Sequence, residues 1–122
     1  MTALPPLEIT IASQDMVAYA GATWDWHRLH HDTEYVKAKG IDRPVVDGQV
    51  FGAYFAAHIA EHLGPEWFVT DMSIRFRAMV LAGDTVRISS APLDDRPDRY
   101  RHAVHVGDRL CVTGETGVRR GR

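Results

Sequence analysis

From Asp47 to Leu63 the chain reads DGQVFGAYFAAHIAEHL, closed by Gly64-Pro65. Asp47 supplies an N-cap, and Gly-Pro is a stop signal, so the stretch predicts one helix. Val50, Phe51, Ala53, Tyr54, Phe55, Ala56, Ala57, Ile59, Ala60 and Leu63 make it apolar over most of its circumference. A helix that is apolar nearly all round has to be wrapped by other structure. This one is too short and too punctuated to cross a bilayer, which takes about 20 apolar residues. The rest of the 122-residue chain must therefore supply the wrapping.

What remains is mostly strand-like. PPLEITI alternates apolar and polar residues after Pro5-Pro6 and predicts a first strand. Ser13 is placed to cap a short helix over QDMVAYAG ending near Gly21, and TEYVKAKG predicts a second short helix stopped by Gly40. IDRPVV is an extended entry to the long helix. Beyond the helix, FVTDMSIRFRAMV alternates, with Met72, Ile74, Phe76 and Ala78 on one face and Ser73, Arg75 and Arg77 on the other. TVRISSAPL, RYRHAVHV and RLCVTGETGV follow, separated by the turns Gly83-Asp84 and Gly107-Asp108 and the polar loop DDRPD. A strand, a buried helix and four antiparallel strands make an α+β chain whose curved sheet rolls around one helix, the hot-dog architecture. We expect one domain over residues 1–122, with its core at about 7–118 and residues 119–122 a frayed tail. One sheet covers only one side of such a helix. A second copy or a homologous partner is therefore expected alongside, giving a dimer.

The net charge is −2, which gives no reason to expect nucleic-acid binding. The single cysteine, Cys111, lies in a strand pattern and reads as a small buried side chain. With one cysteine, no membrane-length apolar run and no secretion signal in MTALPPLEIT, the expected setting is cytoplasmic, away from membranes.

The chemistry concentrates in WDWHRLHHD, Trp24 to Asp32. Asp25 and His30 on one bent loop can converge on a single water, the carboxylate orienting the imidazole or sharing its proton work. Trp24, Trp26 and Leu29 would exclude bulk solvent. His31 reads as solvent-facing. His27, His30 and Asp32 form an alternative zinc set, but their spacing matches no standard pattern and no cysteine joins them, so no metal is expected. Gly48, at the first turn of the long helix, offers a backbone N–H backed by the helix dipole, suited to a developing oxyanion.

These residues resemble the MaoC-like, or R-specific enoyl-CoA hydratase, family. Its hydratase motif runs approximately Gly-Asp-x-Asn-Pro-Leu/Ile-His-x-Asp, followed later by Arg-Pro-Ile-Val-His-Gly at the start of the long helix. In WDWHRLHHDTEYVKAKGIDRPVVDGQVFG, Asp25 falls on the motif's catalytic aspartate and His30 on its histidine. Asp32 falls on the second aspartate, Arg43-Pro44-Val45-Val46 on the Arg-Pro-Ile-Val, and Gly48 on the oxyanion-hole glycine. FRAMVLAGDTV is similar to the family's paired strands, so the likeness runs from about residue 7 to 118. His27, Arg28 and Asp47 depart from it, standing for asparagine, proline and histidine.

The resemblance implies an enzyme that reversibly hydrates a trans-2-enoyl thioester, on CoA or an acyl carrier protein, to a 3-hydroxyacyl thioester. No cofactor is implied beyond CoA as part of the substrate. The partner implied is a second copy or a homologous hot-dog subunit, as in heteromeric steroid side-chain hydratases. Asp25 and His30 would activate water, in roles left open, and the Gly48 amide would polarise the carbonyl. Phe51, Tyr54 and Phe55 would line the acyl chain, Trp24 and Trp26 the mouth, and His27 and Asp47 would add substrate contacts. Arg75 and Arg77 read as a solvated face that could also meet CoA phosphates. Two other readings are a thioesterase, which would want a helix carboxylate nearer Gly48 than Glu61, and a non-catalytic subunit of a heteromeric hydratase.

Overall fold

The computed structural model describes residues 2–121. Its elements run β1 (Leu7–Thr10), α1 (Ser13–Thr23), a single 3-10 turn (Arg28–His30), α2 (Thr33–Ala38), α3 (Gln49–Leu63), β2 (Trp67–Phe76), β3 (Thr85–Pro92), β4 (Arg99–Val106) and β5 (Arg109–Arg120). The strands form one antiparallel sheet in the order β1-β3-β4-β5-β2. Irregularities at Val69/Asp71 and Val104/His105 help to curve it. The sheet wraps α3 in the hot-dog arrangement expected from the sequence. Val86, Ile88, Val104 and Val112 point inward from the strands and bury Phe51 and Phe55 of the helix. No helix among the described residues is long and apolar enough to cross a membrane.

Four local expectations need correction. Ser13 does not cap α1. The cap position is Ala12, whose amide is held by the Asp15 carboxylate at 2.8 Å. Nor does α1 stop near Gly21. It continues to Thr23 and ends where Trp24 takes a left-handed conformation, φ 62°. The alternation continuing to Val80 overstates β2, because the chain leaves the ladder after Phe76, with the Arg77 and Ala78 amides both turned to the Cys111 carbonyl. Finally, residues 119–121 are not frayed. Edge strand β2 needs partners, and β5 provides them as far as Arg120 opposite Trp67. Arg120 also pairs with Glu66 at 2.6 Å, and the Gly121 amide reaches the Glu66 carbonyl. Arg122 lies outside the described residues.

The helix is covered on one side only. Val50, Phe51, Phe55 and Ile59 are buried, while Ala53, Ala57 and Ala60 stay exposed along the opposite stripe. Cys111 is free and buried, as its strand position implies.

One polar chain crosses the core. His58 of α3, Ser90 of β3, His102 of β4 and Thr116 of β5 are all buried. His58 Nε2 is 2.7 Å from the Pro5 carbonyl, which can only accept, so this nitrogen carries the proton. With both rings neutral, the remaining directions follow. The Ser90 hydroxyl donates to His58 Nδ1 at 2.9 Å, His102 Nδ1 donates to Ser90 at 2.6 Å, and Thr116 donates to His102 Nε2 at 2.8 Å. Every member is satisfied, so the network ties the N-terminal segment, the helix and three strands together without stranding a polar atom.

Candidate active site

The site is built where the tryptophan-rich loop meets the tip of α3. The left-handed Trp24 reverses the chain out of α1 and hands Asp25 to the loop. The 3-10 turn is capped by the His27 ring, whose Nδ1 accepts the Leu29 amide at 3.0 Å. Two bonds then fasten the loop to the extended entry segment. The Val45 amide donates to the Leu29 carbonyl at 2.9 Å, and His30 Nδ1 lies 2.7 Å from the Val45 carbonyl. Arg43 secures that segment from below, bonding the Ala82 carbonyl at 2.8 Å and pairing with Asp84 at 3.1 Å. The Arg-Pro-Val-Val stretch thus serves as a rail that sets the height of His30.

The Val45 carbonyl also assigns the His30 tautomer. It accepts only, so Nδ1 carries the proton and the neutral ring presents a bare Nε2. That nitrogen faces two carboxyl groups, Asp25 Oδ2 and Asp47 Oδ2, each 3.9 Å away. One donor atom from each of the three side chains lies within 4.8 Å of the others, close enough to grip one water. The two acids are driven apart. The hydrogen bond from Asp47, then the His27 amide, hold Asp25 below the usual carboxylate range. Burial, then the neighbouring Asp25, push Asp47 up. Tyr19 of α1 is raised as well, by burial and then by the Asp47 charge.

A cavity of about 510 Å³ opens beside this group, within the range of small-molecule sites. His30, Asp47, Gly48 and Phe51 line it together with Phe76, Arg77, Met79, Val80 and Val112. The Gly48 amide, at the helix tip, makes no hydrogen bond to another described residue. Glycine lets the Phe76 ring approach closely, since a Cβ would stand 2.3 Å from it and the ring would have to move.

Of the residues singled out in the sequence, Asp25, His30 and Asp47 come together, and Gly48 and Phe51 line one cavity with His30 and Asp47. The others do not. Trp24 and Trp26 pack edge to face on each other at 6.1 Å on the outside of the loop, Trp24 being 79% exposed. They flank the site without lining the cavity. His27 is occupied with its own turn and with Tyr35. Phe55 lies in the core, stacked on His102 at 4.4 Å, and Tyr54 packs beside Phe51 outside the cavity lining. The zinc set does not assemble, because Asp32 caps α2 through the Tyr35 amide and pairs with Arg28. Sequence reasoning missed the lining contributed by Phe76, Arg77 and Met79. Their signal was the apolar run Ala78-Met79-Val80, where the alternation of the strand gives out.

Asp47 does not occupy the cap position itself; Gly48 does. From one residue outside, Asp47 still accepts the Gln49 amide through Oδ1 at 3.1 Å, leaving Oδ2 for the cavity.

A family model described as MaoC like domain matches residues 2–114. The mitochondrial 3-hydroxyacyl-[acyl-carrier-protein] dehydratase of Arabidopsis thaliana is 32% identical over 75 residues, covering 62% of this chain but less than half, 45%, of that protein. The (R)-specific enoyl-CoA hydratase of Rhodospirillum rubrum is 24% identical over 114 residues, covering 89% of this chain and 79% of that one. Among solved structures, a chain of the ChsH1–ChsH2 complex from Mycobacterium tuberculosis superposes with a TM-score of 0.85 at 21% identity, over 97% of this chain and 94% of the other.

Proposed function

This chain belongs to the MaoC-like domain family, and on that footing we propose that it reversibly hydrates a trans-2-enoyl thioester to a 3-hydroxyacyl thioester. One observation carries the reading: the Asp25 carboxylate lies 3.9 Å from the bare His30 Nε2, and His30 lines one cavity with Gly48, whose amide has no hydrogen-bond partner among the described residues. Water held between Asp25 and His30 attacks C3 of the enoyl group, forming the C3–O bond. Its proton passes to His30 Nε2 while Asp25 accepts a hydrogen bond from its remaining O–H. The C2=C3 electrons move toward the thioester oxygen, where the Gly48 N–H and the helix dipole meet the developing negative charge. His30 then returns the proton to C2, and the net change is addition of one water. Asp25 stays ionised throughout, in keeping with the depression of its pKa. His30 alternates as base and acid, a role suited to imidazole near neutrality.

The carrier, CoA or an acyl carrier protein, is bound as part of the substrate, and the chemistry asks for no further cofactor. The acyl chain runs past Phe51 and Phe76. A second copy, or a homologous hot-dog subunit, covers the alanine stripe of α3 and the free edge of β2. Nothing in the site favours a thioesterase, since Glu61 is exposed near the far end of α3.

The test is hydration of crotonyl-CoA and longer enoyl-CoAs, followed by loss of enoyl absorbance. Asp25→Asn and His30→Ala should each lower kcat by about 10²–10⁴-fold, the usual worth of positioned acid–base groups. Wild type and variants that are equally active, or equally inert on every enoyl thioester tried, would overturn the proposal.

A further inference from the structure

Asp47 is more secluded than a helix cap needs to be. Its side chain is only 9% exposed, against 39% for Asp25. Oδ1 is accounted for by the Gln49 amide. Oδ2 is turned to the cavity, and among the described residues its only ion-pair partner is His30, at 3.9 Å. One oxygen from each of the Asp47 and Asp25 carboxyl groups lies within 4.8 Å of the other, and both groups face His30 Nε2. An ionised carboxylate only accepts, so a bond between two of them requires a proton. The other charged or titratable groups that face the pair are Tyr19 from α1, His27 and His30 from the loop, and Arg77 at the cavity wall. None of these lies within ion-pair distance of Asp47 except His30.

We propose that Asp47 is a positioning residue of this site: it shares one proton with Asp25, the proton rests on Asp47, and the pair fixes the Asp25 carboxylate while leaving His30 a neutral acceptor. The inference rests on the hydration reading given above and adds to it how the site is regulated by pH. The proton belongs on Asp47 because an isolated buried anion is the costlier of the two. Burial raises Asp47, while the bond it donates lowers Asp25. Charge is the reason the arrangement serves the reaction. With Asp47 ionised, two anions would stand 3.9 Å from His30 Nε2 and favour the imidazolium, whose Nε2 cannot take a proton from water. With Asp47 neutral, one negative charge remains, enough to orient water and not enough to pin a proton on the ring. The Asp47 proton is not consumed. The proton that moves is the one passing from water to His30 to C2.

Activity therefore has a carboxyl-controlled limb on each side. It falls in acid as Asp25 gains a proton, and falls again as Asp47 loses its own. Asp47→Asn keeps the uncharged shape, the acceptor for Gln49 and a donor for Asp25. It should recover most of the roughly 10²-fold rate that Asp47→Ala loses through misplacement of Asp25, and should delete the Asp47 limb from the kcat/KM–pH profile. A profile identical to wild type would reduce Asp47 to a helix cap. An Asn variant as impaired as Asp25→Asn would show that a charge, or a proton to give away, is needed there. Either result overturns the proposal.

The dyad is also measurable without turnover. Carboxyl-13C NMR titration of the wild type should show one aspartate at this site titrating above, and one below, the ordinary range. Asp25→Asn should bring the upper step down by removing the like charge. An upper step that stays in place overturns the shared proton even in an active enzyme. A dyad that titrates as expected in a chain inert on every enoyl thioester would instead refute the hydration reading.

Discussion

Acid should weaken this fold in a window set by one buried ring. His102 has no exposed surface, stacks within 9° of parallel on Phe55, and is bonded at both nitrogens. Burial, assisted by the nearby His58, pushes its pKa from 6.5 down to about 4. The sign follows from proton binding. Between these two values the unfolded chain holds a proton at this residue that the native protein refuses, so unfolding gains as pH falls. Stability is complete above pH 6.5, declines from there to about pH 4, and levels off once the native ring is charged as well. The gap of about 2.5 pH units, at about 1.4 kcal/mol each, amounts to roughly 3–4 kcal/mol. That is a large share of the 5–15 kcal/mol by which domains are typically stable. Asp25, Asp32 and Asp71 are held below 3.8 by their partners, so their own losses begin beneath this window. Asp47, pushed up, binds protons more readily when folded and works in the opposite direction. The share of His102 is therefore read as a difference. Urea unfolding of wild type and His102→Gln at steps from pH 7.5 to 4.5 should give curves that approach each other by about 1.4 kcal/mol per pH unit below 6.5, with the m-value unchanged. Curves that stay parallel through that range would refute the argument.

Two glycines give contrasting expectations. Gly48→Ala would place a Cβ 2.3 Å from a Phe76 ring that is 61% exposed and free to swing. We expect thermal stability within a few degrees of wild type and hydration lowered at least tenfold, as the ring shifts over the cavity; unchanged turnover would show that the approach of the glycine to Phe76 is incidental. Gly114→Ala meets Phe55 at 2.5 Å and the Ser73 carbonyl at 3.3 Å, and here the ring is fully buried and clamped on His102. Overpacking of that kind costs about 1–3 kcal/mol, visible as a lower urea midpoint at neutral pH.

The architecture was legible because its signals are periodic and its stops are chemical. A helix apolar all round, closed by Gly64-Pro65, and strands alternating between Gly-Asp turns leave few other arrangements. The boundaries that failed depend on partners distant in sequence or on a choice between neighbours. Ser13 is an ordinary capping residue, but Asp15 two positions on reaches back to the Ala12 amide and moves the cap by one. Arg119 and Arg120 have the composition of a solvated tail, and what orders them is the unpaired edge of β2 some fifty residues earlier. Trp24 and Trp26 suggest a cavity wall by their size, yet the first is consumed in ending α1 and both turn outward.

At the site, the local spacing of Asp25 and His30 carried the pairing, but not which imidazole nitrogen is left free to face the carboxylate. That is decided by the Val45 carbonyl, fifteen residues away, which claims the Nδ1 proton. Asp47 marks the same limit. A carboxylate one residue before a helix glycine is sufficiently explained by one oxygen, the one bonded to the Gln49 amide. The second oxygen has no local reason to be anywhere in particular. Only when the rail of residues 43–46 sets His30 opposite the helix tip does that oxygen find an imidazole and another acid before it. Asp47 can then face His30 and Asp25 at no cost to its bond with the Gln49 amide, because each contact uses a different oxygen.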